Sequence, residues 1–156
     1  MMTIGVISDT HNYLDPKVPP LFAGVDHILH AGDVGMPRII LELQAIAPVT
    51  CVLGNTDDPR FNYSLTEVVT LAGRKFLIHH IVDPRKLTDD LQRRLLREQP
   101  DVVVFGHTHK PFSASINGTL FFNPGYAGKQ RFELERSIAL LTLDEDQIQS
   151  KYLRLG

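Results

Sequence analysis

The stretch DVVVFGHTHKP, residues 101–111, decides the predicted fold of this chain. Its four apolar residues, 102–105, form a short continuous run bounded by turn residues, which is typical of a strand buried on both faces. Gly106 ends the run and lets the backbone turn sharply and approach another group closely. His107 and His109 are therefore predicted at the carboxyl end of a strand, where open α/β sheets bind ligands. The pair alone is a weak signal, because two exposed loop histidines would give the same pattern.

Length and composition limit the class of protein. The 156 residues, 43% of them hydrophobic, suffice for one core, so we predict a single domain over residues 1–156. A net charge of −2 argues against general nucleic-acid binding. The one cysteine, Cys51, lies in an apolar run and is expected to be a buried, inert thiol in a reducing compartment. The sequence shows no secretory signal and no apolar stretch of membrane length, which predicts a cytoplasmic protein without membrane contact.

Further apolar runs predict the rest of the fold. Strands are expected at residues 2–8, 25–31, 49–53, 65–71, 75–79, 112–116, 119–122, 137–143 and 149–155. Residues 37–47 predict one helix, and Asp83-Pro84 marks the start of another that stops before Pro100. Strands alternate with helices early and with each other late. The predicted fold class is therefore α/β, a sandwich of two sheets with helices outside.

Polar side chains that can bind metals follow the predicted strands. They comprise two carboxylates, one carboxamide and four imidazoles: Asp9, His11, Asp33, Asn55, His79, His107 and His109. One divalent ion takes about four to six such ligands, so seven suit two ions that share a bridging carboxylate. Asp33 is the predicted bridge. Two ions that share a carboxylate can activate a water that bridges them, and this water then attacks the phosphorus of a bound phosphate in line with the leaving group.

These residues fall into five ordered blocks that resemble a known family. The blocks are Asp9-x-His11, Gly32-Asp33, Gly54-Asn55-x-Asp57, His79 and Gly106-His107-Thr108-His109. In this order they resemble the calcineurin-like metallophosphoesterase family, and the chain is similar in size to its small bacterial and archaeal phosphodiesterases. The resemblance covers residues 1–125 and implies a four-layer, two-sheet α/β sandwich with a dinuclear metal site at the carboxyl ends of the strands.

The resemblance also implies a role for each residue. One metal would be held by Asp9, His11, Asp33 and His109, and the other by Asp33, Asn55, His79 and His107. The candidate catalytic residues are Asn55, which also contacts the phosphate, Asp57, which orients its neighbours, and His107. The expected cofactors are two divalent metal ions. Mn²⁺ is the first choice, and Ni²⁺, iron, Zn²⁺ and Co²⁺ suit the same donor set.

Three positions depart from the family pattern. Thr56 stands where many members have a histidine that assists the leaving group, which favours diesters or activated esters over ordinary monoesters. The block that usually reads His-Gly is His79-His80 here, and a solvated or hydrogen-bonded role for His80 is preferred over a role in the site. Tyr126 replaces a usual small residue, so it either walls the substrate pocket or simply packs.

Other histidines and cations leave alternatives open. His27 and His30 lie in a predicted strand and are interpreted as core residues, or as residues that orient the ligands. Lys110, Arg131 and Arg136 either neutralise a bound phosphate or are only solvated, and Lys110 is the best of them by adjacency.

Two functions from different classes compete. The first is a divalent-metal-dependent phosphodiesterase that hydrolyses small phosphodiesters through a metal-bridging water. The second is a non-catalytic protein-interaction scaffold on the same fold, similar to the retromer subunit. Because every ligand position is filled by a competent side chain, the hydrolase is preferred. A homodimer is a further prediction, since the apolar hairpin around Phe112, Phe121 and Phe122 offers a surface, although a buried core explains the same residues.

Overall fold

The computed structural model describes all 156 residues and contains two five-stranded sheets. Strands and helices are numbered in chain order. The first sheet has the order β10-β9-β1-β2-β3. Its strands are β1 (Met2–Ile7), β2 (His27–His30), β3 (Val49–Cys51), β9 (Ser137–Leu143) and β10 (Ile148–Arg154). Strands β1, β2 and β3 are parallel, whereas β9 and β10 run antiparallel at one edge.

The second sheet has the order β4-β5-β6-β8-β7. Its strands are β4 (Thr66–Leu71), β5 (Arg74–His79), β6 (Val102–Val104), β7 (Phe112–Ile116) and β8 (Thr119–Asn123). Strands β5, β6 and β8 are parallel, and the hairpin partners β4 and β7 form the two edges. The parallel strands therefore form the centre of the second sheet, whereas in the first sheet they occupy the side that ends at β3.

Three helices accompany the sheets: α1 (Val18–Leu21), α2 (Arg38–Gln44) and α3 (Asp89–Glu98). The prediction that Asp83-Pro84 starts the last helix is wrong. The Asp83 side chain accepts a hydrogen bond from the Arg85 N–H in a turn, and the helix begins six residues later. Thr88 provides the N-cap by accepting a hydrogen bond from the Leu91 N–H. None of the three helices has the length and apolar character needed to cross a membrane.

The apolar residues separate into three clusters, which define four layers. The central cluster joins the facing sides of the two sheets, through residues such as Ile4 and Phe76. A second cluster packs α1 and α2 on the outer face of the first sheet, with Phe22 at its centre. The third packs α3 on the outer face of the second sheet through Leu91. This helix–sheet–sheet–helix order confirms the predicted two-sheet α/β sandwich.

The hairpin of β7 and β8 turns at Asn117-Gly118, as predicted. Both residues have left-handed backbone conformations, with φ of 52° and 82°, as a two-residue hairpin turn of this kind requires. The structure buries Phe121 and Phe122 almost completely. Because these side chains belong to the core, they offer no surface for the predicted homodimer, which stays a prediction.

Candidate metal centre

Metal-competent side chains from both sheets meet at the carboxyl ends of the parallel strands. They form two groups, in each of which the potential ligand atoms lie within 4.8 Å of one another. The first group contains Asp9, His11 and His109, and the second contains Asp33, His80 and His107. The structure thus brings together five residues predicted from the sequence and adds His80.

The first group is centred on one oxygen of Asp9. The Oδ1 atom of Asp9 lies 3.4 Å from His109 Nε2 and 3.6 Å from His11 Nε2. Both Asp9 Oδ1 and His11 Nε2 are buried and have no hydrogen-bond partner. A buried polar atom without a partner is costly unless another ligand satisfies it, so these atoms fit a cation.

The second group is centred on one oxygen of Asp33. Its Oδ2 atom lies 3.2 Å from His80 Nε2, which is a third buried atom without a hydrogen-bond partner. The same oxygen lies 3.6 Å from His11 Nε2 and therefore faces both groups. At the open side of the second group, His107 Nδ1 lies 3.1 Å from Oδ1 of the exposed Asn55. This places the predicted Asn55 beside His107.

The predicted ligand His79 lies outside both groups. Its Nδ1 atom lies 2.8 Å from the Thr66 hydroxyl on the neighbouring strand β4. Successive residues near the end of a strand point to opposite sides, so only one of two adjacent histidines can face the centre. That residue is His80, which is 3% exposed. The structure thus places His80, rather than the predicted His79, in the second group.

Left-handed backbone conformations direct these side chains inward. Five candidate ligands that are not glycine have positive φ: Asp9 (57°), His11 (46°), Asp33 (55°), His107 (71°) and His109 (64°). Such conformations are uncommon for residues with a Cβ and persist where the surrounding structure holds them. Here the loops after β1 and β2 bond to each other, since the His11 N–H donates to the Asp33 carbonyl over 2.9 Å. The strain is concentrated at the candidate centre.

Two glycines leave room for the carboxylates. A Cβ on Gly106 would lie 2.1 Å from Ser8 Oγ and 2.6 Å from Asp9 Oδ2. A Cβ on Gly54 would lie 2.2 Å from Asp33 Oδ1 and 2.1 Å from the Asp33 backbone nitrogen. These approaches are too close for any side chain, which explains why glycine occupies these positions in the loops after β6 and β3. The close approach predicted for Gly106 is therefore observed.

Hydrogen bonds hold the outer oxygen of each carboxylate. Asp9 Oδ2 accepts from the Ser8 hydroxyl at 2.6 Å and from the His107 N–H at 3.1 Å. Asp33 Oδ1 accepts from the Thr56 N–H at 2.9 Å. Each carboxylate therefore keeps one oxygen directed at the centre. No sequence pattern points to Ser8, because a serine at a strand end is common.

Asp57 holds the loops that carry the second group. Its two oxygens accept hydrogen bonds from the backbone N–H groups of Val34, Gly35 and Gly54, over 2.8–3.1 Å. Val34 and Gly35 follow Asp33 directly, and Gly54 precedes Asn55. The location of Asp57 therefore agrees with the predicted role of orienting its neighbours rather than touching a ligand.

Buried histidine His30 supports the same loops. Its Nε2 lies 3.0 Å from the Thr10 hydroxyl, and its Nδ1 accepts from the Gly32 N–H at 3.1 Å. The Thr10 hydroxyl donates its hydrogen to the Val34 carbonyl, so His30 must donate to Thr10 and is neutral. Burial lowers the pKa of His30 to about 4, which agrees with that state. The interpretation of His30 as an orienting residue fits these contacts.

The tautomer of His80 is set in the same way. Its Nδ1 lies 2.7 Å from the Ala31 carbonyl, which can only accept, so Nδ1 carries the hydrogen. The Nε2 atom faces Asp33 and Asp9. Burial opposes protonation of this imidazole, but the two carboxylates raise the pKa of His80, so a bound cation would take the place of a proton on Nε2. A histidine fixed by a backbone carbonyl on one nitrogen and free on the other is arranged as metal-binding histidines are.

Neighbouring imidazoles and hydrogen-bond donors lower the pKa values of the two carboxyl groups at the centre. Burial alone would raise the pKa of the Asp33 carboxyl, but the adjacent His80 and the Thr56 N–H lower it to about 2. Burial opposes ionisation of Asp9 as well, yet His109, His11 and Ser8 hold its pKa well below the usual range. Both carboxylates are therefore ionised at neutral pH and available to a cation.

The remaining candidate residues lie around the centre in different ways. Tyr126 is 1% exposed, and its ring centroid lies 4.8 Å from that of His109, so it packs behind the first group. Arg136 is buried in an ion pair with Asp15 and does not reach the centre. Lys110 is exposed beside His107 and lines a cavity there.

Two cavities adjoin the candidate centre. One of about 530 Å³ opens beside His107, and one of about 140 Å³ lies against Asn55 and His80. A cavity of about 650 Å³ lies away from the candidate ligands, beside Pro100 and the β7–β8 turn. Because it contains none of the clustered side chains, its size does not make it the active site.

Comparison with known proteins agrees with this geometry. The sequence matches the calcineurin-like phosphoesterase superfamily domain over residues 2–146. It is 37% identical to a probable metallophosphoesterase of Methanothermobacter thermautotrophicus, across 99% of this chain and 94% of that protein. It is 28% identical to the phosphodiesterase MJ0936 of Methanocaldococcus jannaschii, across 80% of this chain and 83% of that protein.

The fold is also shared with solved structures. Wild-type Vps29 from Entamoeba histolytica, solved in complex with Zn²⁺, superposes with a TM-score of 0.76 at 22% identity. The match covers 99% of this chain and 100% of that one. At this identity the likeness shows the common fold alone.

Proposed function

The chain belongs to the calcineurin-like phosphoesterase superfamily and is a metal-dependent phosphoesterase, and on that premise we propose that it hydrolyses small phosphodiesters with two divalent metal ions. The observation that carries the proposal is the convergence of two ligand groups on Asp33 Oδ2, together with three buried atoms that have no hydrogen-bond partner. Those atoms are Asp9 Oδ1, His11 Nε2 and His80 Nε2.

Each ion would have its own ligands and share one. Asp9, His11 and His109 would hold the first, and Asn55, His80 and His107 the second, with Asp33 bound to both. These donors are oxygen and nitrogen atoms only, which suits Mn²⁺, Ni²⁺, iron, Zn²⁺ or Co²⁺. Mn²⁺ is the ion to test first, because carboxylate and carboxamide oxygens suit it well.

The protein's own contribution is to position these groups. Divalent ions, when bound, lower the pKa of water and offset the negative charge of the phosphate. The Ser8 hydroxyl and the Thr56 N–H each hold one carboxylate oxygen so that the other faces the centre. Asp57 ties together the loops that carry Asp33 and Asn55. A site held in this way needs little rearrangement when the ions and substrate bind.

Two observations favour diesters over monoesters. The exposed Thr56 side chain can neither donate a proton readily to a leaving group nor carry positive charge, so leaving groups must depart with little help. The cavity of about 530 Å³ beside His107 leaves room for an organic ester group next to the reacting phosphorus. The relative named a phosphodiesterase supports the same class of substrate.

A protein-interaction scaffold is the second candidate. The shared fold with Vps29 is the observation that supports it. Since that Vps29 structure contains Zn²⁺, metal binding alone does not separate the two functions. The ligand set here is complete and its carboxylates are held by dedicated hydrogen bonds, which favours the hydrolase.

Hydrolysis of bis-p-nitrophenyl phosphate tests the proposal. Protein stripped with a chelator should be inactive, and Mn²⁺ should restore turnover. Asp33→Ala should lose turnover and most bound metal, whereas Asp146→Ala, which changes an exposed turn carboxylate, should keep both. Metal bound to the wild-type protein without any turnover would reject the hydrolase and favour the scaffold.

We place this activity in the cytoplasm. The proposal is supported by the chain's one cysteine, Cys51, which has no partner for a disulfide within the chain. Cys51 is half-buried rather than buried as predicted, and its surroundings raise the pKa of the thiol to about 12, which keeps it protonated.

A further inference from the structure

An exposed isoleucine lies directly beside the polar centre. Ile81 follows His80 in sequence and is 47% exposed, although it is one of the large aliphatic side chains that proteins normally bury. Exposed apolar surface next to a polar cleft is commonly where a ligand binds. Ile81 is therefore placed where a bound substrate would cover it.

Ile81 lines both of the cavities that adjoin the centre. Ligand pockets for organic molecules usually enclose roughly 300–1,000 Å³. The cavity beside Asn55, at about 140 Å³, is too small for an organic group, whereas the cavity beside His107, at about 530 Å³, is large enough. The volumes of the two cavities therefore indicate that an organic group of the substrate would bind in the cavity beside His107.

The larger cavity has apolar walls and a cationic rim. Ile81 and Phe112 contribute to the walls, and the rings of Phe112 and Phe105 pack at 5.9 Å. Arg85 and Lys110 line the same cavity, and its one carboxylate, Asp83, accepts a hydrogen bond from the Arg85 N–H. Such a pocket suits a flat apolar ring attached to an anion. The apolar walls cover the ring, and the two cationic side chains attract the negative charge of the anion.

We infer that Ile81 and Phe112 form a subsite for an aryl or nucleobase ring on one ester group of the substrate, and that Ile81 determines this specificity. The inference rests on the proposed phosphodiesterase function and narrows its substrates to diesters that carry a planar ring. Diesters with only small alkyl groups bind the same centre but leave the pocket empty. Ile81 is a specificity residue and takes no part in the bond-breaking step.

Calorimetric binding of two non-hydrolysable phosphonates to the Mn²⁺-loaded protein tests the subsite. Phenylphosphonate and methylphosphonate carry the same anionic head and differ in the ring. We expect the wild-type protein to bind phenylphosphonate at least about tenfold more tightly, a discrimination typical of an apolar pocket. Ile81→Ala should reduce the ratio to about two- or threefold, while Leu96→Ala, at an exposed leucine on α3, should preserve it.

A second variant keeps the test decisive if Ile81→Ala disturbs the neighbouring His80. Phe112→Leu removes the aromatic wall without touching a candidate ligand and should also lower the ratio. Equal binding of the two phosphonates by the wild-type protein, or a wild-type ratio in both variants, would overturn the inference. Ring preference without any diester hydrolysis would instead overturn the proposed function and leave the subsite standing.

Discussion

Asp33 Oδ2 lies 3.2 Å from His80 Nε2, a buried nitrogen that has no hydrogen-bond partner in the protein. A buried imidazole nitrogen and a carboxylate oxygen would not normally be held face to face without a hydrogen bond or a shared ligand. The carbonyl of Ala31 accepts a hydrogen bond from the other nitrogen of the imidazole, so Nε2 is directed at the carboxylate. This relationship makes His80 the histidine to test as a ligand.

Replacement of the two adjacent histidines separates their roles. His80→Ala should reduce metal affinity and turnover by more than the roughly 10- to 100-fold lost when a residue behind a ligand is removed. His79→Ala should leave both nearly unchanged, since His79 faces the Thr66 hydroxyl. Bound metal is measured by mass spectrometry and turnover by release of p-nitrophenolate. The reverse ranking of the two variants would restore the original prediction for His79.

Alanine variants of the adjacent residues Asp57 and Asp58 test whether Asp57 stabilises the loops. Asp57→Ala leaves three backbone N–H groups without their acceptor, and because an unsatisfied buried donor costs roughly 1–3 kcal/mol, we expect a loss of about 3 kcal/mol. Asp58→Ala removes the cap of a single-turn 3₁₀ helix, Pro59–Phe61, and a surface ion pair with Arg60, so it should cost clearly less. Urea unfolding of the metal-free proteins measures both. Equal losses would show that Asp57 does not hold the loops.

A histidine at position 56 should improve cleavage of poor leaving groups. Thr56 has an exposed side chain, and its backbone N–H donates to Asp33, so Thr56→His leaves that hydrogen bond intact. General acid catalysis contributes roughly 10²–10⁴-fold, and a newly introduced donor should supply about tenfold of it. The gain should appear for phenyl esters and be small for p-nitrophenyl esters. An equal gain for both leaving groups would argue against proton donation.

Buried His30 should make the fold sensitive to mild acid. Its pKa is about 4 in the folded protein and about 6.5 when unfolded, so the unfolded chain binds more protons between these values. Stability is therefore lost as the pH falls from 7 to 5, by about 1–2 kcal/mol from this residue. His30→Gln should show a correspondingly smaller loss in urea unfolding with a chelator present. An unchanged pH dependence would mean that His30 does not stay neutral in the fold.

The sequence predicts most of the fold because its signals are local. The apolar run ending at Gly106 and the Asn117-Gly118 turn each specify their own conformation, and both are found where expected. The start of α3 was misplaced because Asp83 and Thr88 both suit a helix start, and only tertiary packing selects Thr88.

The sequence predicts most residues of the candidate site, but it does not show which of two adjacent histidines faces the centre. His79 and His80 are chemically identical, so only the direction of each side chain at the end of β5 distinguishes them. That direction depends on the partners Thr66 and Ala31, which are distant in sequence. The cavity beside His107 was also inaccessible to sequence reasoning, because Ile81 and Phe112 come from separate segments that read as ordinary apolar positions.

Titration of metal-free protein with Mn²⁺, while hydrolysis of bis-p-nitrophenyl phosphate is followed, tests the two-ion centre most directly. Because Asp33 faces both ligand groups, turnover should stay low through the first equivalent of Mn²⁺ and reach its maximum at two ions per chain. Full turnover with one bound ion, or two bound ions without turnover, would contradict the two-metal phosphodiesterase.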